Sequence, residues 1–192
     1  WLVDDERWPD HGNYTIEDYY ALPDDIRVEL IDGIIYDMGC PTRTHQIILG
    51  QLFYQFMDCI RDHCPDCEVY VAPMDVRLDR DDLTMVEPDL LVLCHDDDNP
   101  SRIEGAPELT IEILSKSSRT KDCIIKLNKY MNAGVKEYWI VDPFKKKVLV
   151  YKFEEDDSPE VYTFDDMIPV GISGGKCVID FSKVRDAAAR YL

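Results

Sequence analysis

Glu108-Leu109-Thr110-Ile111-Glu112-Ile113-Leu114-Ser115 alternates apolar and polar side chains over enough residues to define a β-strand. Successive strand residues point to opposite faces, so Leu109, Ile111 and Ile113 share one face and Thr110 and Glu112 the other. A carboxylate in such a run is disfavoured unless something compensates it. Two other runs repeat the feature. Asp89 sits in Val86-Glu87-Pro88-Asp89-Leu90-Leu91-Val92-Leu93, where Pro88 lacks a backbone donor and so starts or edges a strand at the carboxylate. Glu29, in Val28-Glu29-Leu30-Ile31, is flanked by apolar neighbours in the same way.

Outward from these strands the chain reads as strands with helices set between some of them. Thr15 followed by Asp18 predicts a short capped helix that ends before Pro23. The Asp32-Gly33 pair between two β-prone runs predicts a hairpin over residues 27–38. Ile47, Ile48, Leu52, Phe56 and Ile60 recur at helical spacing and mark an amphipathic helix over 44–61. Residues 68–78 and 85–94 read as further strands, each closed by an acidic segment, at 79–82 and 96–100. A helix is predicted over 119–133, stopping at Gly134, and then a strand over 136–141. Shorter β runs at 148–151, 160–164 and 177–181 precede a last helix capped by Ser182. This order predicts one α/β (α+β) domain over 15–192, a central mixed β-sheet flanked by helices, behind an N-terminal tail at 1–14.

Composition narrows the function. The chain has 192 residues, 45% of them hydrophobic, and a net charge of -18 from 21 Lys and Arg against 39 Asp and Glu. Its mean hydropathy is -0.29, its pI is about 4.4, and no run reaches the ~20 apolar residues of a membrane-spanning helix. No membrane partner is expected. The overall field repels nucleic acid, so any such role has to overcome it locally. The first residues have neither a basic region nor an apolar stretch, so no secretory signal is read and a cytoplasmic location is expected. Seven cysteines are an odd count, several beside apolar residues, which favours buried free thiols in a reducing compartment. Cys64-Pro65-Asp66-Cys67, with Cys59 and His63 nearby, is a lone C-x-x-C without the second ligand pair that zinc needs; a plain loop is the better reading.

Carboxylates converging across a sheet make a hard-oxygen site suited to Mg²⁺ or Mn²⁺. Taken singly, each of the three is better explained by exposure or by a nearby Lys or Arg, and it is their combination that points to a site. After the Glu112 strand comes a local basic cluster in an acidic chain, Lys116, Arg119, Lys121, Lys126 and Lys129, which has the charge to hold a phosphate. Asp122 and Lys126, four apart on a helix, read equally well as a surface ion pair. Lys145-Lys146-Lys147 falls in a predicted turn, where solvated lysines or an added phosphate contact are both consistent.

The motifs Val-Glu-Leu-Ile-Asp-Gly, Pro-Thr-Arg-Thr-His-Gln, Glu-Pro-Asp-Leu, Glu-Leu-Thr-Ile-Glu-Ile-Leu-Ser, Asp-x-x-x-Lys-Leu-x-x-Tyr and Ala-Gly-Val-Lys-Glu-Tyr-Trp-Ile-Val-Asp-Pro follow in order from Val28 to Pro143, within a resemblance that covers about residues 15–153. In this order they resemble the Uma-two family of restriction-endonuclease-like proteins, part of the PD-(D/E)XK phosphodiesterase superfamily. The resemblance implies a restriction-endonuclease-like fold and a divalent metal that serves phosphodiester hydrolysis in nucleic acid, DNA being the expected substrate. It matches Asp89 to the Asp of Pro-Asp, Glu112 to the acidic residue of the second motif and Glu29 to the N-terminal acidic position. It makes these three metal ligands, together with the carbonyl of Ile113. Leu114 stands where the superfamily signature has Lys, so the catalytic Lys would come from the next helix as Lys126, and His45 matches a position suited to contact phosphate or a metal-bound water. The rival function is a nuclease-fold domain that binds or regulates without cutting. A homodimer would suit the cutting of two strands; light scattering at micromolar concentration is expected to give the dimer mass, and a strict monomer removes the idea.

Overall fold

The computed structural model describes residues 6–23, 25–79, 81–95, 97–115, 118–154 and 156–192. Its elements are α1 (Ile16–Tyr20), β1 (Val28–Ile31), β2 (Ile34–Asp37), α2 (Arg43–His63), β3 (Glu68–Val71), β4 (Val76–Arg77), β5 (Leu90–Leu93), β6 (Ile103–Glu104) and β7 (Leu109–Ile113). A π-helical turn (Lys121–Lys126) then runs into α3 (Leu127–Ala133), followed by β8 (Glu137–Asp142), β9 (Lys147–Lys152), β10 (Asp156–Thr163), β11 (Met167–Pro169), β12 (Val178–Asp180) and α4 (Phe181–Ala188). Six strands form the central sheet in the order β10-β9-β8-β7-β5-β3. Within it only β7 and β8 pair in parallel, which obliges the chain to cross over between them, and the π turn and α3 are that crossover. The mixed sheet with flanking helices is the expected architecture.

The alternation read in the Glu112 strand decides the layers. Leu109, Ile111 and Ile113 join Leu90, Val92, Trp139 and Val141 in a core under α2 and α4. The other face, with Leu91, Leu93, Tyr138 and Ile140, is covered by Tyr130 of α3. The Asp32-Gly33 turn closes the β1–β2 hairpin with positive φ at both residues, 51° and 74°, as a tight primed turn demands. The hairpin is held to the body by a bridge from Leu30 to Met85. Thr15 caps α1 in a reciprocal box with Asp18, as its spacing predicts.

Several expectations are corrected. The run 68–78 breaks at Pro73 into β3 and β4, and of 85–94 only Leu90–Leu93 enters the sheet, because Pro88 cannot donate to the ladder. Asp180, not Ser182, caps α4; its carboxylate accepts from the Ser182 N–H at 3.0 Å. Part of the expected tail is packed: Trp8 is buried and the Gly12 N–H donates to the Gly33 carbonyl at 2.9 Å, while residues 1–5 lie outside those described. The cysteines are not all free. Cys59 pairs with Cys177 and Cys67 with Cys94, leaving Cys40, Cys64 and Cys123 as thiols among the described residues. Partners 118 and 27 residues apart meet only after the sheet and α2 have packed, so their spacing carries no local signal. The pairing withdraws the cysteine argument for a reducing compartment, and Cys67, bonded to Cys94, cannot close a C-x-x-C centre with Cys64. No helix among the described residues is long and apolar enough to cross a membrane.

Phe56 projects from α2, is fully buried and meets Trp139 edge-on at 5.5 Å between ring centroids. Phe56→Ala is expected to cost about 3–5 kcal/mol of stability, because a truncated core aromatic leaves a cavity. A urea titration with an unchanged slope and a lowered midpoint checks this.

Candidate active site

A strand carboxylate buried beside a crossover helix requires cations, and the helix supplies them through an unusual register. At the α-helical 100° per residue, Lys121 and Lys126 would point about 140° apart. The π turn bonds i to i+5 and turns both lysines, with Asp122, inward. Lys126 Nζ lies 2.6 Å from Glu29 Oε1 and 2.5 Å from Glu112 Oε1, and Lys121 Nζ pairs with Glu29 Oε2. Both lysines and both carboxylates are buried. The Tyr130 hydroxyl, one turn further along, donates to the same Glu112 Oε1 at 2.8 Å. Glu112 Oε1 thus takes two donors and Oε2 takes neither.

Asp89 stands just ahead of β5, where Pro88 releases the chain from the ladder. Its Oδ2 accepts the Ile113 N–H at 2.7 Å, and His45 Nε2, in the first turn of α2, lies 3.0 Å from its carboxylate. An ionised acceptor there favours the Nε2–H tautomer, which leaves the buried Nδ1 as an acceptor with no partner. Glu29, Asp89, Glu112, Asp122, Lys126 and His45 all line one cavity of about 920 Å³, so the residues singled out in the sequence do converge.

The electrostatics follow from burial. Desolvation pushes the Glu29 carboxyl up, but Lys121 and Lys126 overcome it and hold the group at about 2. For Glu112 burial wins: its pKa lies well above the usual carboxylate range, since Lys126 is opposed by the charges of Asp122, Asp89 and Glu29. Burial likewise raises Asp122 to about 6, against the pull of Lys126 and Lys121. Burial alone would lower Lys126, yet the three carboxylates Glu112, Glu29 and Asp122 raise it, so it stays an ammonium.

Two roles change with this geometry. Glu29, expected as a metal ligand, has both oxygens engaged: Oε1 by the Glu87 N–H at 2.9 Å and Lys126, Oε2 by Lys121. The basic cluster is not an exposed phosphate patch. Lys121 and Lys126 are spent on buried carboxylates, Lys129 bridges Asp32 and Asp79, and Arg119 forks onto Asp142 at 2.9 and 3.2 Å; Lys116 lies outside the described residues. Asp122 and Lys126 do not form the surface pair read at spacing four, because the π turn buries both. Sequence reading missed Lys121, Asp122 and Tyr130 as site members; the shared i, i+5 offset of the lysines was the one available signal. Among the described residues no group of three or more His, Cys, Asp or Glu side chains stands in a ready metal-holding arrangement.

A mixed sheet that sets one carboxylate at the start of a strand, a second inside its neighbour and a lysine on the crossover helix defines the restriction-endonuclease-like class. The chain belongs to the Uma-two (Uma2) family, described as "Putative restriction endonuclease", whose pattern matches residues 16–172. Its fold is similar to a crystal structure from Anabaena variabilis ATCC 29413 described as a putative nuclease belonging to DUF820. The TM-score is 0.74 at 18% sequence identity, over 91% of this chain and 98% of that one. No curated protein matches the chain.

Lys126→Met removes the cation between Glu29 and Glu112 and is expected to cost about 3–5 kcal/mol at neutral pH, the usual penalty for stranding a buried charge. The sign with pH is fixed by the two carboxyls. A raised group such as Glu112 stabilises the fold below its ordinary pKa and loses that contribution as pH rises, and without Lys126 it is raised further. A depressed group such as Glu29 stabilises above its ordinary value of 4.5 and loses this as pH falls toward about 2, and without Lys126 that contribution shrinks. Both make the deficit largest at neutral pH and smaller in acid, which urea unfolding at several pH values measures.

Proposed function

We infer that the protein is a divalent-metal-dependent endonuclease that hydrolyses phosphodiester bonds in nucleic acid, with DNA as the first substrate to test. The observation that carries this reading is the Glu112 carboxylate, which gives Oε1 to Lys126 and Tyr130 and keeps Oε2 for the cavity it shares with Asp89. Two strand-borne carboxylates, one of them with an oxygen left over, are the hard donors that Mg²⁺ or Mn²⁺ takes. Asp89 and Glu112 would hold the ion, with the Ile113 carbonyl as a third oxygen. Bound there, the ion supplies Lewis-acid charge for the phosphoryl oxygens and acidifies a water.

The other residues act by position and charge. Lys126 keeps its proton and stands on Glu112, where a fixed ammonium stabilises negative charge growing on a phosphoryl group. Glu29 anchors the two lysines instead of binding metal. His45 and the Ile113 N–H fix the Asp89 carboxylate. The rival reading, a nuclease fold that binds without cutting, draws support from the Glu29–Lys126–Glu112 chain, in which the ammonium already offsets the carboxylates.

Calorimetry with Mn²⁺ separates the two, since it needs no choice of substrate. The wild type is expected to bind and Glu112→Gln to lose binding. In a cleavage assay Glu112→Gln and Asp89→Asn are each expected to lower the rate about 100-fold or more with the circular dichroism spectrum unchanged. Equal Mn²⁺ binding by wild type and Glu112→Gln overturns the assignment of the ligand, and absence of both ion binding and cleavage in the wild type favours the binding module.

A further inference from the structure

The turn between β8 and β9 places an aromatic ring where a core residue has no business. Phe144 is 54% exposed, yet it lines the mouth of the cavity that holds Glu112 and Asp89. The ring is held in place from behind. Asp142 Oδ1 accepts the N–H groups of Phe144 and Lys145 at 3.0 and 3.1 Å, an Asx turn that fixes the backbone. The Lys146 carbonyl accepts from the Phe164 N–H at 3.2 Å, which ties the far side of the turn to the body. Arg119, forked onto the same Asp142, sets its guanidinium 5.8 Å from the Phe144 ring centroid. An exposed ring on a rigid turn, backed by a cation, is a ready stacking surface at little ordering cost.

Charge points the same way. Inside the cavity Arg27 is paired with Glu87, Lys121 with Glu29, and Lys126 with Glu29 and Glu112. Each of these cations is engaged by a carboxylate, so none is an unpaired charge along which a duplex backbone could track in a chain of net charge -18. Lys145, Lys146 and Lys147 are different: all are exposed, come directly after Phe144, and take no carboxylate partner among the described residues. Spare positive charge therefore sits beside the exposed ring at the rim.

We propose that Phe144 and Lys145–Lys147 form a platform for single-stranded nucleic acid, with a base stacked on the Phe144 ring and flanking phosphates on the lysines. Stacking requires a base already out of the duplex, so the platform selects single strands, or frayed and looped segments, for the carboxylate site behind it. This rests on the nuclease reading for what happens to the strand and deepens it to a substrate class.

The test is fluorescence anisotropy with a labelled short oligothymidine and a duplex of equal length, at low and moderate salt, without divalent ion. The wild type is expected to prefer the single strand. Phe144→Ala is expected to weaken single-strand binding about 5- to 150-fold, the range to which base–aromatic stacking energies convert, and to leave weak duplex binding unchanged. Phe144→Trp keeps the affinity, and Lys145→Glu lowers it for both forms and flattens the salt dependence. Because Phe144 is exposed, an unchanged unfolding midpoint shows that the variants are folded. Equal or tighter duplex binding, or single-strand binding indifferent to Phe144→Ala, overturns the platform. Cleavage of a duplex with no dependence on Phe144 sinks the platform and keeps the nuclease. Phe144-dependent single-strand binding with no Mn²⁺-dependent cleavage keeps the platform and sinks the nuclease.

Discussion

A carboxylate buried in a β-strand has to be met by a cation, and here one ammonium group meets two of them from elements far apart in the chain. Lys126 stands between Glu29 of the hairpin and Glu112 of the central sheet. Any of the three alone in that interior would carry a desolvation cost of several kcal/mol. Together they fix where the hairpin sits on the sheet, because Glu29 reaches Lys126 only when β1 lies over the crossover. Lys121 and the Glu87 N–H complete the shell of Glu29, so the join is specified by directional contacts as well as apolar packing.

The π turn is what makes this arrangement possible. An α-helix would send one of Lys121 and Lys126 toward the sheet and the other away from it. Widening the first turn of the crossover places both against Glu29 and buries Asp122 beside them. The chain then returns to α-helical register at Leu127, in time to bring Tyr130 onto Glu112. Irregular helical turns of this kind recur at functional sites because the register shift puts polar groups where regular geometry would not.

This division also explains what the sequence could tell. The Glu112 strand, the Asp32-Gly33 hairpin and α2 were legible because their signals are local periods and turn residues. Asp89 and Glu112 were legible because acidic residues in apolar strands stand out against their neighbours, the roles of Lys126 and His45 came only through the family resemblance, and all four share one cavity. The place of Glu29 was readable but its partners were not, since they depend on a helical register that a 3.6-residue period conceals. Lys121 and Asp122 were hidden for the same reason. The cysteine pairs were hidden for another: their closeness is produced by the packing of α2 and the sheet, not by any neighbourhood in the chain.

Charge is distributed to match. Glu29, Asp37, Glu87, Asp89, Glu112 and Asp122 line the cavity against Arg27, Lys121 and Lys126, so its interior is electronegative even with every cation engaged. A phosphodiester entering alone would meet repulsion; the carboxyls of Glu112 and Asp122, raised chiefly by burial and secondarily by neighbouring carboxylates, already favour the neutral form. Chemistry on nucleic acid at such a centre therefore needs positive charge to arrive with or before the phosphate. It also needs a foothold that does not depend on the interior field. The proposed ring platform at the rim would meet the second need, because stacking is nearly indifferent to net charge, and the exposed lysines beside it would attract phosphate. On the proposed reading, a spent, acidic centre and an unspent rim would be two halves of one solution to binding a polyanion with an acidic protein.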